Sequence, residues 1–199
     1  MKLRQSTSET SAPLKLESKE LSPDTWPDFA KLFEKHGGVW GGCWCMFFHV
    51  SGAWARRTAE QNRKEKEALV NAGKAHGILV YHDSEPIGWC QFGPKDELPR
   101  IDSMRGYEPV GKGNSWRITC FFIDRDHRKR GVAKEALRAA LAVMKSHGVK
   151  RVEAYPVDTA KRKYPPSLMY RGSLRLFEGF GFEKVGKLGK NRYLVSREL

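Results

Sequence analysis

The stretch HRKRGVAKEAL, His127 to Leu137, sets four cations, Arg128, Lys129, Arg130 and Lys134, around the small residues Gly131 and Ala133. Two chemistries fit that composition. One is a basic patch for nucleic acid. The other is a loop that holds phosphate with its own backbone. The first amides of a helix have no internal partner and sit at the positive end of its dipole, and Gly and Ala leave them uncovered. The stretch is not a P-loop, because G-x-x-x-x-G-K-[ST] is absent, nor a dinucleotide fingerprint, because G-x-G-x-x-G is absent. Basic residues at a helix start are also often just solvated, so spacing alone leaves the choice open.

A second candidate is a carboxylate placed where charge is costly. Glu153 sits mid-strand in VKRVEAYPVD, between Val152 and Ala154. Strand alternation puts those two neighbours on one face and Glu153 with Tyr155 on the other. A glutamate in a central strand is paired or functional, and a salt bridge to an arginine such as Arg117 is the structural alternative. Asp158, at the strand end, reads as a turn or cap residue. VWGGCWCMFFH gathers Trp40, Trp44, Phe47 and Phe48, either as core or as the lining of an apolar pocket. Cys43, Cys45 and His49 make a poor ligand set: C-x-C lacks the spacing of a structural zinc site and no second pair follows, so no metal is expected. Cys43, Cys45, Cys90 and Cys120 read as buried, reduced thiols.

These residues need elements to position them. PLKLESKEL reads as a short first strand. SPDTWPDFAKLFEKHGG reads as a helix, with Ser22 as cap, Pro23 in the first turn and Gly37 at the end. TAEQNRKEKEALVNAGK reads as a second, exposed helix. HGILVYHD and PIGWCQFGPK form a hairpin across DSEP. DELPRIDSMRGYEPVGKGN is a long loop. SWRITCFFID is the strongest strand, rich in β-branched and aromatic residues. The helix after it carries Val132, Ala136, Leu137, Ala140, Leu141 and Met144 as one apolar stripe. VKRVEAYPVD follows as a parallel strand, which completes a β-α-β unit. TAKRKYPPSLMYRG is a loop, SLRLFEGFG a short helix, and FEKVGKLG with NRYLVSREL a closing hairpin. The fold class is therefore mixed α/β: antiparallel N-terminal strands, then a central parallel β-α-β.

With 199 residues, 40% of them hydrophobic and 30% charged, the chain reads as one soluble domain over 14–199 behind a disordered tail over 1–13. No apolar run is long enough for a transmembrane helix and the polar start lacks a secretory core, so the cytoplasm is the expected compartment and no membrane partner is expected. The formal charge of +13 fits nucleic acid, an acidic surface or a polyanionic cofactor.

Arg128 to Ala133 matches R-x-x-G-x-[GA], and CFFIDRDHRKRGVAKEALRAAL resembles throughout the fourth strand, pyrophosphate loop and third helix of the GNAT superfamily of acyl-CoA-dependent N-acyltransferases. LFEGFGFEKVG is similar to that family's last helix, GF turn and following strand. The resemblance covers Trp116 to Gly186 well and the element order from Leu14 to Leu199 loosely; GGCWCM, IGWCQFGPK and VEAYPVD resemble a bacterial branch of the superfamily. It implies acetyl-CoA as co-substrate, with Lys129, Arg130, Gly131, Val132, Ala133 and Lys134 offering backbone amides to the pyrophosphate. Phe121, Phe122 and Ile123 would meet the pantetheine arm, and the strands of CFFID and VEAYP would splay to admit the thioester. In that family the last helix often carries an Asn and, seven residues on, a Tyr that protonates the leaving thiolate. Here those positions are Tyr170 and Phe177, and Phe177 has no proton to give.

The expected reaction is acetyl transfer to a primary amine of a small molecule. It needs a base, an oxyanion site and an acid. Glu153 is the expected base, and Tyr170 or Tyr155 the acid. Two other readings stand beside it: an acyl-CoA-binding sensor without turnover, and a nucleic-acid module. Against the latter, no helix-turn-helix, zinc finger or RNA-binding signature is present. A homodimer is left open.

Overall fold

A computed structural model describes residues 14–108, 115–160 and 162–199; the expected tail over 1–13 lies outside them. The stretches richest in β-branched and aromatic residues form the middle of one sheet: β2 (His76–His82), β3 (Glu85–Pro94) and β4 (Ser115–Ile123). Asp83 and Ser84 join β2 to β3 with φ of 49° and 64°, the doubly left-handed turn that suits the strand twist. β1 (Glu17–Glu20) lies antiparallel to β2. On the far side, β5 (Arg151–Ala154) runs parallel to β4, and β7 (Tyr193–Glu198) and β6 (Glu183–Lys187) close the sheet antiparallel. The strand order is β1-β2-β3-β4-β5-β7-β6, the mixed sheet expected.

Both faces are covered. The crossover helix α3 (Val132–Ser146) buries the expected stripe, with Ala136, Leu137, Ala140 and Met144 all 0% exposed, against Val80, Cys90 and Phe92 of the sheet. On the opposite face α1 (Trp26–Glu34) stacks Phe29 and Phe33 at 4.1 Å and sets Phe29 edge-on to Trp89 of β3 at 4.8 Å. α1 starts later than the sequence suggests. The Ser22 amide donates to Thr25 Oγ1 at 2.8 Å and the Thr25 hydroxyl to the Glu20 carbonyl, so Ser22 to Thr25 close a turn of their own and Pro27 takes the first helical turn.

α2 (Ala59–Asn71) is capped by Thr58, whose side chain accepts from the Gln61 amide at 3.1 Å. It is not simply exposed: Asn62, Lys66 and Val70, four residues apart, are buried. Asn62 donates to the Gly42 carbonyl at 2.8 Å and so holds the loop between α1 and α2. That loop is unusual, because Val39, Trp40, Trp44 and Cys45 all have positive φ. Such conformations cost about 1–3 kcal/mol each and persist only where the surroundings impose them. Gly42 is required there: a Cβ would fall 2.2 Å from that of Ala59.

The β4–β5 ladder ends early. It pairs Ser115 to Ile118 with Arg151 to Ala154 and stops. Beyond it Tyr155 and Pro156 turn away, proline having no N–H to give a ladder, and Val157 bridges instead to Ser173 and Arg192. The second half of β4 is left beside a gap. A loop that includes the short turn Pro166–Leu168 borders it and leads into α4 (Leu174–Glu178).

Candidate active site

The gap is flanked by the start of α3. Gly131 caps that helix with φ of 85°, and Lys129 two residues earlier has φ of 62°. The left-handed turns leave the amides of Gly131, Val132, Ala133 and Lys134 without acceptors among the described residues. A Cβ built on Gly131 meets nothing within 4 Å, so the space before those amides is open. Arg128, Lys129 and Lys134 are exposed around it. The geometry fits a pyrophosphate, which would complete the orphan amides and neutralise the dipole end.

The loop is pinned from behind by Asp124, whose side chain is 1% exposed. It accepts from Lys35 Nζ at 2.6 Å and from the Asp126 amide at 2.9 Å, and lies 3.4 Å from His36 Nε2. Burial pushes its pKa up, but Lys35, the Asp126 amide and His36 together outweigh that and hold it at about 2.

Two cavities meet in the gap. One, of about 320 Å³, is lined by Phe121, Phe122, Ile123, Arg128, Ala133, Met169 and Leu176. The other, of about 290 Å³, is lined by Cys43, Cys45, Phe47, Phe48, Trp54, Cys120 and Leu168. Trp40 and Tyr170 border both. Of the residues expected to hold a cofactor, Phe121, Phe122, Ile123 and Ala133 therefore line one cavity. Lys129, Arg130, Gly131 and Lys134 sit at the loop by its mouth. The Val132 side chain is buried against Gly88, so only its amide is available. The Phe121 amide already donates to the Tyr170 carbonyl at 2.5 Å; alternation turns the Ile123 amide toward the same open edge.

The expected proton-transfer residues separate. Glu153 is fully buried and lines neither cavity. It pairs with Lys95 and accepts from Tyr107 at 2.9 Å and Tyr155 at 3.0 Å. Its cationic partner is Lys95 rather than the Arg117 suggested, which bonds Asp102 and the Leu98 carbonyl at 2.9 Å each. Tyr155 is fully buried, and burial, opposed by Arg117, drives its phenol well above the usual range. Tyr170 does reach the cavities, though not as an element of the last helix: α4 begins at Leu174 behind its cap Ser173, so Tyr170 arrives from the preceding loop. The Phe177 ring is buried, edge-on to Phe121 at 6.0 Å and Phe182 at 5.1 Å.

Two groups have surroundings that the sequence does not show, His49 being weighed there only as a metal ligand. Lys66 is buried and His49 half-buried beside it, with Lys66 Nζ 3.0 Å from His49 Nε2, which Gln91 also meets at 2.9 Å. Burial lowers Lys66 to about 8, and burial with Lys66 beside it drives His49 well below its usual value. Arg171 is buried beside Phe48 and Tyr170. All four cysteines are free thiols, with Cys45 and Cys120 Sγ atoms 3.4 Å apart. Among the described residues no His, Cys, Asp and Glu cluster is arranged to hold a metal, and no helix is long and apolar enough to cross a membrane.

A mixed sheet split between two parallel strands, with an open helix N-terminus on one side of the split and an apolar pocket on the other, is the architecture of a CoA-dependent acyltransferase. The family model of the acetyltransferase (GNAT) family matches residues 42–164. The chain belongs to that family and is an acetyl-CoA-dependent N-acetyltransferase. Solved structures agree in fold. An acetyltransferase from Thermus thermophilus is 19% identical with a TM-score of 0.53, the match covering 94% of this chain and 98% of that one. A GCN5-related N-acetyltransferase from Kribbella flavida is 15% identical with a TM-score of 0.57, over 92% and 98%. NAA60 from Arabidopsis thaliana, solved in complex with acetyl-CoA, is 18% identical with a TM-score of 0.51, over 92% and 99%. None of the curated proteins compared matches the chain.

Proposed function

We propose that the chain moves the acetyl group of acetyl-CoA to the primary amine of a small molecule held in the aromatic cavity, the two substrates meeting at Tyr170. The observation that carries this reading is that Tyr170 and Trp40 border both cavities. The pyrophosphate sits on the amides of Gly131 to Lys134, ringed by Arg128, Lys129 and Arg130. The pantetheine arm runs along Phe121 to Ile123, and its thioester enters the gap beyond Ala154.

The chemistry follows from the walls. Among the described residues no carboxylate or histidine lines either cavity. An ammonium entering among Phe47, Phe48 and Trp54 is desolvated, which favours its neutral form, and the proton leaves to water. The amine nitrogen then attacks the thioester carbonyl. The oxyanion is met at the open edge of β4, the attacking nitrogen gives its surplus proton to water, the C–S bond breaks, and the Tyr170 hydroxyl protonates the departing thiolate and regains a proton from water. Glu153, tied to Lys95, Tyr107 and Tyr155, supports β5 rather than taking a proton. Mass spectrometry of the purified protein should find co-purified CoA species, and an amine panel followed by thiol release should find turnover. Tight CoA binding with no turnover on any amine would select the sensor reading instead.

A further inference from the structure

Arg171 is 6% exposed. Its Nη1 donates to the Met104 thioether at 3.3 Å, a weak acceptor, the neutral Tyr170 hydroxyl is its other side-chain hydrogen-bond partner, and its Nε is buried without any. The guanidinium lies 5.3 Å from the Phe48 ring and 5.4 Å from that of Tyr170. None of the ion pairs among the described residues includes it. The buried Arg117 differs, since it has Asp102 and a carbonyl. A buried charge without a counter-ion is costly and calls for one.

The place for that counter-ion is beside it. Arg171 lines a third cavity of about 320 Å³ together with Lys190, Arg192, Tyr164, Leu168 and Tyr170, and among the described residues no Asp or Glu is in that lining. Leu168 and Tyr170 also line the aromatic cavity, so the two adjoin at those side chains. Lys190 and Arg192 are exposed and add two more positive charges. A planar guanidinium with free donors is matched by a planar carboxylate, which can take two parallel hydrogen bonds.

We infer that the acceptor is an amine that also carries a carboxylate, an amino acid or a close relative with an apolar or aromatic body, and that Arg171, with Lys190 and Arg192, binds that carboxylate. The inference rests on the aromatic cavity being the acceptor side. The body lies against Phe47, Phe48 and Trp54, the carboxylate faces Arg171, and the amine is left at the Tyr170 junction.

The test uses phenylacetate and its neutral isostere phenylacetamide as probes, titrated calorimetrically into the full chain with and without saturating CoA. Phenylacetate should bind at least about tenfold more tightly than the amide, the contribution of a charge-assisted pair, and Arg171→Met should abolish that difference while leaving CoA affinity within about twofold. The exposed double variant Lys190→Gln/Arg192→Gln guards against a misfolded Arg171→Met and should itself weaken phenylacetate severalfold. Equal binding of acid and amide, no binding of either, or unchanged phenylacetate binding in a folded Arg171→Met would overturn the inference. Inorganic phosphate binding more tightly than phenylacetate would overturn its choice of a carboxylate. A chain that binds phenylacetate without CoA, but never binds CoA, would sink the reading of the cofactor side and leave the anion site standing.

Discussion

Tyr170 and Glu153 differ in where the fold puts them. Both are of types that move protons, yet only Tyr170 borders a cavity; Glu153 is fully buried among Lys95, Tyr107 and Tyr155. The two should therefore fail differently when changed. Tyr170→Phe removes one hydroxyl and little packing. Its kcat should fall by about a hundredfold to ten-thousandfold, the usual range for a lost general acid, with the KM for acetyl-CoA nearly unchanged. Glu153→Gln leaves Lys95 without its counter-charge. It should lose about 3 kcal/mol of stability, the scale of breaking a buried pair, while kcat of the folded fraction stays near wild type. Denaturant melts and steady-state kinetics on the same preparations check both. If Glu153→Gln melts normally but loses turnover across the pH range, the carboxylate is the base after all.

At the scale of elements, the start of α3 and the inner face of α2 each carry a prediction. Gly131 holds φ of 85° with open space in front. Gly131→Val brings a β-branched side chain into a left-handed conformation, costing about 1–2 kcal/mol, and fills the approach to the amides. CoA binding by calorimetry should fall strongly in a chain that still melts cooperatively; unchanged affinity would remove the cradle from the mechanism. On α2, Lys66 has a folded pKa of about 8 against 10.5 unfolded. Below pH 8 it is charged in both states, and its burial penalty is constant. Between 8 and 10.5 the unfolded chain binds more protons, so this residue makes stability rise with pH. The buried thiols, raised in the fold, act in the opposite sense, so the difference curve is the measurement. The stability of Lys66→Met minus that of wild type should shrink by up to about 3 kcal/mol over that window.

The same elements show what the sequence could and could not tell. α3 was legible because its buried residues repeat at helical spacing and are all apolar, and β2, β3 and β4 because their composition admits little else. α2 looked exposed because two of its three buried positions are Asn62 and Lys66, and periodicity in polar residues carries no hydrophobic signal. Tyr170 was placed on the last helix by a seven-residue interval; the cap at Ser173 shows that the interval crosses a helix start. Nothing local distinguishes Arg171 in MYRGS from a solvated arginine, since its burial comes from Phe48, over a hundred residues away in the chain, and Met104.

Across the whole molecule the question is what a charge of +13 is for. Cations do not gather on one arm. Arg128, Lys129, Arg130 and Lys134 surround the helix end, and Lys190 and Arg192 border the cavity beside Arg171. Some of the others are paired, as with Arg57 and Glu65, Arg138 and Glu135, and Arg151 and Glu198. A surface arranged this way serves compact anions at defined points. A duplex demands something else, a continuous basic stripe in which each phosphate contact adds to the salt dependence. Any nucleic-acid binding should accordingly be weak, sequence-blind and lost by about 200 mM salt, where non-specific contacts have lost several orders of magnitude in affinity. CoA should displace whatever is retained at moderate salt, because both would use the loop before α3. Filter binding of a labelled duplex, titrated first with salt and then with CoA, separates the cases. Retention that survives both would assign the charge to nucleic acid and leave the acetyltransferase site as only part of what this surface does.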